Sequence, residues 1–413
     1  MIDKLLEGKL LTLLVGSVFR AVEIFVRAIH LGVRGVRLVV QEKLTTPIDR
    51  RISRVGKRRV ARTATVDDAS IVFVETDGEY TGDAKYIAEE LLRRAPAHTI
   101  TWVLRAPSVG PFPREFRFVR EGTADCFRAI ARAKVVVHDG RRLHEAGVVK
   151  SPDQLWLQAW PGGSALDPQT DVVLTGSTSE DDLLAGAPAR RLRLGHARND
   201  LLVDTSPGRS AALRKKVLDR LHVAETGQRF LLYAPARSDD ALAAPLSGID
   251  FAALRSTLSE RFGGTWDVLV RAPHVARAEA DMWLAGLPAY CHNASRHPDL
   301  QELLAVADAG MTDRSGWMSD YLLTGRPAFL FATPLGAERA GAADLPLPVA
   351  TSSAELLAAV AHFDREAHAD AIGQFLSRRG SVDDGGSAAR IVDEIIQCAG
   401  RPAGGAPGSR ESA

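Results

Sequence analysis

From Ser70 onward the chain alternates short apolar runs with amphipathic stretches, and this alternation restricts its fold more than any other feature. Ile71–Val74, Thr99–Leu104, Val135–Val137, Leu155–Ala159, Val172–Thr175 and Arg191–Gly195 read as strands. Asp83–Arg94 and Asp125–Arg132 read as helices between them. After a polar stretch around Asp204–Gly208 the alternation restarts. Strands are expected at Phe230–Tyr233, Val268–Val270, Ala309–Thr312 and Ala328–Phe331. Helices are expected over 249–261, 299–306, 316–324 and 353–363. Repeated βα units build parallel sheets covered by helices on both faces. Two such runs imply an α/β chain with two doubly wound, Rossmann-like domains, 70–205 and 206–398, and a cleft between them. Ligands of such folds bind beyond the carboxyl ends of the strands.

The residues before Ser70 have a different character. Of the 413 residues, the first 62 carry fourteen Lys or Arg against five Asp or Glu. The formal charge of +1 is therefore a +9 arm set against a −8 remainder. Arg20, Glu23, Arg27, His30, Arg34 and Arg37 recur every three or four residues, the spacing of one helix face. Ile24, Phe25, Val26, Ile29, Val33 and Val36 lie between them. No uncharged run reaches the ~18–20 residues of a spanning helix, and no signal-peptide cleavage pattern follows. Residues 1–45 thus read as a basic amphipathic helix lying in an anionic membrane surface, and 46–69 as a basic linker extending the charged region to Arg62. Packing on the protein's own core or in a homo-oligomer is the alternative reading. Nucleic acid is not expected, because no aromatic residue interleaves with the arginines.

Three separated cysteines, Cys126, Cys291 and Cys398, make neither a disulfide framework nor a C-x-x-C pair, which suits a reducing compartment. No metal site or cofactor is expected. Residues 399–413 are rich in Gly, Pro and Ser and read as a disordered tail.

Five segments, in order, resemble one family. Glu75–Tyr86 (Glu-Thr-Asp-Gly-Glu-Tyr-Thr-Gly-Asp-Ala-Lys-Tyr) resembles its Gly-x-Tyr-Ser-x-Asn-Pro-Lys-Tyr segment. Gln154–Gly163 (Gln-Leu-Trp-Leu-Gln-Ala-Trp-Pro-Gly-Gly) resembles Gln-x-Trp-x-Gln-Thr-Trp-His-Gly-Thr. Gly195–Asp200 resembles Gly-x-Pro-Arg-Asn-Asp, and Phe230–Asp239 resembles a segment containing Leu-Tyr-Ala-Pro. Ala307–Gly316, followed by Asp320–Pro327, resembles Asp-x-Leu-Ile-Thr-Asp-Tyr-Ser-Ser and its continuation. The family is the CDP-glycerol glycerophosphotransferases, the teichoic acid polymerase and primase group.

The resemblance implies a GT-B-like fold and a peripheral position on the cytoplasmic face of the cell membrane. It also implies transfer of glycerol phosphate, or a related polyol phosphate, from a CDP-linked donor. The receiving group would be a hydroxyl of a lipid-linked envelope acceptor, with CMP leaving. Backbone N–H groups of Thr312, Asp313, Arg314, Ser315 and Gly316 are candidates to hold the donor diphosphate, with the Ser315 hydroxyl and the Arg314 charge. Asp320, Arg198, Asn199 and Asp200 are further candidates for that site, or for bracing it.

Two departures bear on catalysis. Pro161 stands where the family has the histidine of Trp-His-Gly-Thr, and Gly163 stands for the threonine. The family's Arg-x-His-Pro segment reads Arg271-Ala-Pro-His274 here, so Arg271 is a candidate binding residue and His274 a displaced candidate base. His196 is a second candidate base. Three readings follow: a transferase with a rearranged base, a catalytically impaired scaffold for envelope-polymer assembly, or a GT-B glycosyltransferase using a nucleotide-sugar.

Overall fold

The computed structural model describes residues 60, 63–75, 78–105, 112–140, 143, 146–159, 166–204, 206–235, 248–272, 284, 286–313, 315–332 and 345–399. The expected amphipathic helix at 1–45, most of the linker, Pro161, His274, Arg314 and all but the first residue of the tail lie outside these residues.

The described chain forms thirteen strands. They are β1 (Asp67–Val74), β2 (Thr99–Leu104), β3 (Arg117–Arg120), β4 (Ala133–His138), β5 (Leu155–Gln158), β6 (Val172–Thr175), β7 (Arg190–Arg193), β8 (Arg229–Tyr233), β9 (Trp266–Val270), β10 (Cys291–Asn293), β11 (Ala309–Thr312), β12 (Ala328–Phe331) and β13 (Val349–Ala350). The helices are α1 (Gly82–Arg94), α2 (Ala124–Arg132), α3 (Thr178–Leu183), α4 (Asp200–Val203), α5 (Pro207–Leu221), α6 (Phe251–Phe262), α7 (Leu300–Val306), α8 (Trp317–Tyr321), α9 (Ser353–Ala361), α10 (Arg365–Arg379) and α11 (Ser387–Ala399).

The strands make two sheets, ordered β3-β2-β1-β4-β5-β6-β7 and β10-β9-β8-β11-β12-β13. The registered pairs in both run parallel, as the alternating pattern requires. Strand order reverses between β1 and β4 in the first sheet and between β8 and β11 in the second. At those reversals the flanking connections leave in opposite directions and open a space beyond the carboxyl ends.

By contacts the chain divides into two compact units. One comprises residues up to Tyr80, Leu92–Val173 and Ile395 onward; the other comprises Thr81–Leu91 and Leu174–Glu394.

The first unit's core packs Val72, Val74, Val103 and Val136 against Phe127 and Ile130 of α2 and Trp156 of β5. All six residues of β4 are buried, which explains the apolar run Val135–Val137 within it. Thr123 caps α2 by accepting the Cys126 N–H at 3.2 Å.

In the second unit, alternation along β8 separates two cores. Phe230 and Leu232 face one, with Leu269, Leu303 and Tyr321, whereas Leu231 and Tyr233 face the other, with Val268, Met311 and Phe329. Gly310 in β11 is required by contact: a Cβ there would lie 2.7 Å from the Tyr321 ring. Six expected strands of the first half and four of the second are present, joined by β3, β10 and β13. Helices α3, α4, α5, α10 and α11 also go beyond the sequence expectation.

Candidate functional site

Two groups of candidate residues fall within the second unit, and each is assembled from distant sequence. The first lies at the β8/β11 reversal, where Met311 and Tyr233 are register partners. Thr312 is fully buried, and its hydroxyl donates to the Ala234 carbonyl at 2.8 Å. Trp317 Nε1 donates to the same carbonyl at 2.9 Å. These two bonds hold the turn after β11 against the end of β8. The Ser315 N–H points back to Thr312 Oγ1 at 3.4 Å, and Gly316, exposed, starts α8 without a side-chain cap. Asp313 and Ser315 are half-buried. The Tyr233 hydroxyl is buried beside this turn, and burial, then the charge of Asp313, raises its pKa. Arg271 follows β9, and its Nη2 donates to the Pro298 carbonyl at 3.3 Å.

The second group is an ionic network centred on Arg198. Gly195, at φ +87°, turns the chain into it, a conformation that a side chain would strain. Arg198 Nη1 donates to Asp83 Oδ2 at 2.5 Å and Nε to Asp320 Oδ2 at 2.9 Å, while its backbone N–H donates to Asp83 Oδ1 at 3.0 Å. Asn199 Nδ2 donates to Asp320 Oδ1 at 3.3 Å, and Gln301 Nε2 donates to Asn199 Oδ1 at 2.9 Å and Asp320 Oδ2 at 3.1 Å. Burial alone would raise Asp83, but the charge of Arg198 and the hydrogen bond from His196 hold its carboxyl well below the usual range. Burial opposes the charge on Arg198, yet Asp320 and Asp83 keep it fixed.

His196 sits on the same network, 4% exposed. Its Nε2 lies 3.2 Å from Glu180 Oε1 and its Nδ1 lies 3.6 Å from Asp83 Oδ2. Its backbone N–H donates to Asp383 at 2.7 Å. Burial and Arg198 depress its pKa, but Asp83 and Glu180 outweigh them and raise it to about 10. The ring is therefore an imidazolium at neutral pH, with no lone pair to take a proton. Asp200 is engaged elsewhere: its carboxylate accepts the Ser387 and Ala388 N–H groups at 2.9 and 2.8 Å, anchoring the start of α11. A small pocket lined by Glu180, His196, Asn199, Asp320, Arg379 and Asp383 adjoins the network.

A third cluster was not foreseen from sequence. Lys85 Nζ lies 2.5 Å from Asp299 and 2.6 Å from Glu302, and the Tyr86 hydroxyl donates to Asp299 at 2.7 Å. His297 Nε2 and Lys216 Nζ also reach Glu302, at 3.0 and 2.6 Å. The structure thus brings Arg198, Asn199 and Asp320 together with His196, and sends Asp200 to a helix start. Asp83, Glu180, Gln301 and Asp383 complete the network although sequence reasoning had given them no role. The only sequence signal was that Asp83 and Lys85 fall inside the Glu75–Tyr86 segment.

A family profile described as CDP-Glycerol:Poly(glycerophosphate) glycerophosphotransferase matches residues 57–179 and 186–397, most of the chain. The chain belongs to this family. Among the glycerophosphotransferases, the teichoic acid poly(glycerol phosphate) polymerase of Staphylococcus epidermidis is 24% identical over 378 residues, covering 80% of this chain and 51% of its own. The chain thus spans about half the length of that relative. Structures of the wall teichoic acid polymerase TagF share the fold. One, a histidine-to-asparagine variant soaked with CDPG, superposes with a TM-score of 0.69 at 21% identity, covering 89% of this chain and 98% of that one. TagF without a stated substitution gives 0.68 at 22% identity with the same coverage. Arg198, Asn199, Asp200, Arg271, Thr312, Asp313, Ser315, Gly316 and Asp320 lie within the matched stretches of the glycerophosphotransferase profile, whereas Glu180 falls in the short gap between them.

Proposed function

We propose that the chain transfers glycerol phosphate, or a related polyol phosphate, from a CDP-linked donor to a hydroxyl of a lipid-linked acceptor, releasing CMP. The observation that carries this reading is the glycerophosphotransferase match, which runs through both compact units. In this reading the backbone of the turn after β11, Thr312 to Gly316, holds the donor diphosphate, and Arg271 and Arg314 supply positive charge to it. The Arg198 network is the frame that fixes α8, through Asp320, beside that turn. His196, held as a cation between two carboxylates, belongs to the frame; His274 remains the candidate base of this unit.

Residues 1–62 are proposed to hold the protein to an anionic membrane surface from the cytoplasmic side. Among the described residues no helix is long and apolar enough to cross a membrane. Deleting 1–45 then moves the protein from sedimenting vesicles containing anionic lipid to the supernatant; equal sedimentation of both forms contradicts the membrane role. Pro161 favours a second reading, an impaired paralogue that binds donor as a scaffold. Incubation with CDP-glycerol and a lipid-linked acceptor separates the two: CMP appears in the first reading, and donor binds without CMP release in the second.

A further inference from the structure

The pocket beside the Arg198 network serves none of the functions above, and every residue lining it belongs to the second unit. Its floor is buried, with Ser177 and Asn199 among its residues, and its half-buried rim carries Arg379 and Asp383. Helix α10 ends at Arg379, and Gly380, at φ +62°, reverses the chain. The Val382 N–H then donates to the Gly176 carbonyl at 3.0 Å, which brings Asp383 to the rim. Gly176 keeps the space open: a Cβ there would lie 2.5 Å from the His196 ring and 3.2 Å from Asp383 Oδ2. The inner cavity is about 30 Å³, room for about two water-sized groups, within about 330 Å³ of space that is open at the mouth.

Most of the lining polar groups are already engaged. Glu180 accepts the Gly176 N–H at 2.6 Å and faces His196, and Asp320 is held by Arg198, Asn199 and Gln301. Three are not. Asp383 gives one oxygen to the His196 N–H, and its other oxygen meets no donor among the described residues. Ser177, 3% exposed, accepts the Glu180 N–H through Oγ and so keeps its proton to give. Arg379 makes no hydrogen bond or ion pair among the described residues; its guanidinium carbon stands 5.4 Å from the centre of the Phe375 ring. A carboxylate and a guanidinium thus line one cavity without pairing with each other. Burial raises the pKa of Asp383 against the pull of His196, as befits a carboxylate short of donors.

We propose that this pocket holds the end of a polyol-phosphate chain, separately from the donor turn: the terminal diol enters between Ser177 and Asp383, and the phosphate stays at the rim against Arg379. The choice of a polyol-phosphate chain rests on the transfer reading above. A diol supplies a hydroxyl proton to Asp383 and a lone pair to Ser177, and its two hydroxyls match the two water-sized spaces. The phosphate of a chain end is a diester with one negative charge, which one guanidinium meets. A free phosphate monoester carries nearly two, and Glu180, Asp320 and Asp383 on the same pocket disfavour the second.

The test is calorimetric titration of the full chain with glycerophosphoglycerol, the smallest diester of this kind, beside glycerol phosphate and inorganic phosphate. Saturable binding of the diester is expected, tighter than that of either phosphate. Arg379→Gln is expected to weaken it about 10–100-fold, the loss of one charge-assisted hydrogen bond, with the Kd for CDP-glycerol unchanged. Arg379→Lys is expected to restore most of the affinity. Asp383→Asn, which keeps an acceptor for the His196 N–H, is expected to weaken the diester and not inorganic phosphate. Absence of saturable binding, or equal affinity in wild type and Arg379→Gln, overturns the proposal. Inorganic phosphate binding as tightly as the diester overturns the diol contact, and glycerol phosphate binding more tightly overturns the chain-end assignment. Repeated with saturating CMP, the diester affinity is expected to hold; displacement by CMP overturns a site separate from the donor turn. If the protein releases no CMP from CDP-glycerol while Arg379-dependent binding of the diester persists, the transfer reading fails and the pocket stands.

Discussion

Replacing Arg198 by methionine removes the only side chain that joins Asp83 to Asp320 directly among the described contacts. The variant loses three side-chain hydrogen bonds, one to Asp83 and two to Asp320. The carboxylate side chains are 6% and 15% exposed, so neither regains full hydration. Breaking a buried pair by removing one partner costs about 3–5 kcal/mol. Here the loss is cushioned: Asp83 keeps His196, and Asp320 keeps the amides of Asn199 and Gln301. About 3 kcal/mol is therefore expected, which for a unit of this size lowers Tm by roughly 6–12 °C. Differential scanning fluorimetry and urea unfolding followed by circular dichroism read it directly. Lys215→Met, which removes an i,i+4 pair with Asp219 on an exposed helix face, is the control and costs under about 1 kcal/mol. Adding Asp320→Asn to Arg198→Met removes the stranded charge and recovers part of the loss. If Arg198→Met melts with wild type, the network does not hold the unit together, and the frame assigned to it is wrong.

The His196 pKa is raised to about 10, so its stabilising contribution is complete below the unfolded value near 6.5 and is lost as pH rises through 10. Urea midpoints of His196→Gln are expected to converge on wild type between pH 7 and 10.5; a constant gap across that range refutes the ion-paired imidazolium. His138 runs the other way: its folded pKa near 4 means that stability is lost as pH falls from about 6.5 toward 4, a slope that His138→Asn flattens. An unchanged slope would contradict a neutral buried ring. Gly310→Ala forces a methyl against Tyr321 and is expected to cost about 1–3 kcal/mol by chemical denaturation, whereas Gly316→Ala, which meets open space, stays near neutral.

The sheets were readable because parallel strands buried on both faces write continuous apolar runs, as in Val135–Val137 and Phe230–Tyr233. What escaped was written differently. β3 reads Arg-Phe-Val-Arg at a sheet edge, β10 reads Cys-His-Asn, and β13 has two residues. Helix α10 buries only Ile372 and Phe375 of its fifteen residues, so its apolar stripe is too thin to stand out. Helix α5 did carry a signal, Pro207 in its first turn after Ser206. For the site, Arg198, Asn199 and Asp320 were legible, whereas their partners Asp83, Glu180 and Gln301 and the ionisation states were not. Arg198 and Asp320 are 122 positions apart, and the charge on His196 is set by Asp83 and Glu180, 113 and 16 positions away. No local pattern records such pairings.

The central claim is tested most directly by following CMP during incubation of the full chain with CDP-glycerol and a lipid-linked acceptor on anionic vesicles. CMP accumulating in proportion to glycerol phosphate gained by the acceptor is the predicted result. Bound CDP-glycerol that stays intact with acceptor present would contradict the transferase account and leave a donor-binding scaffold in its place.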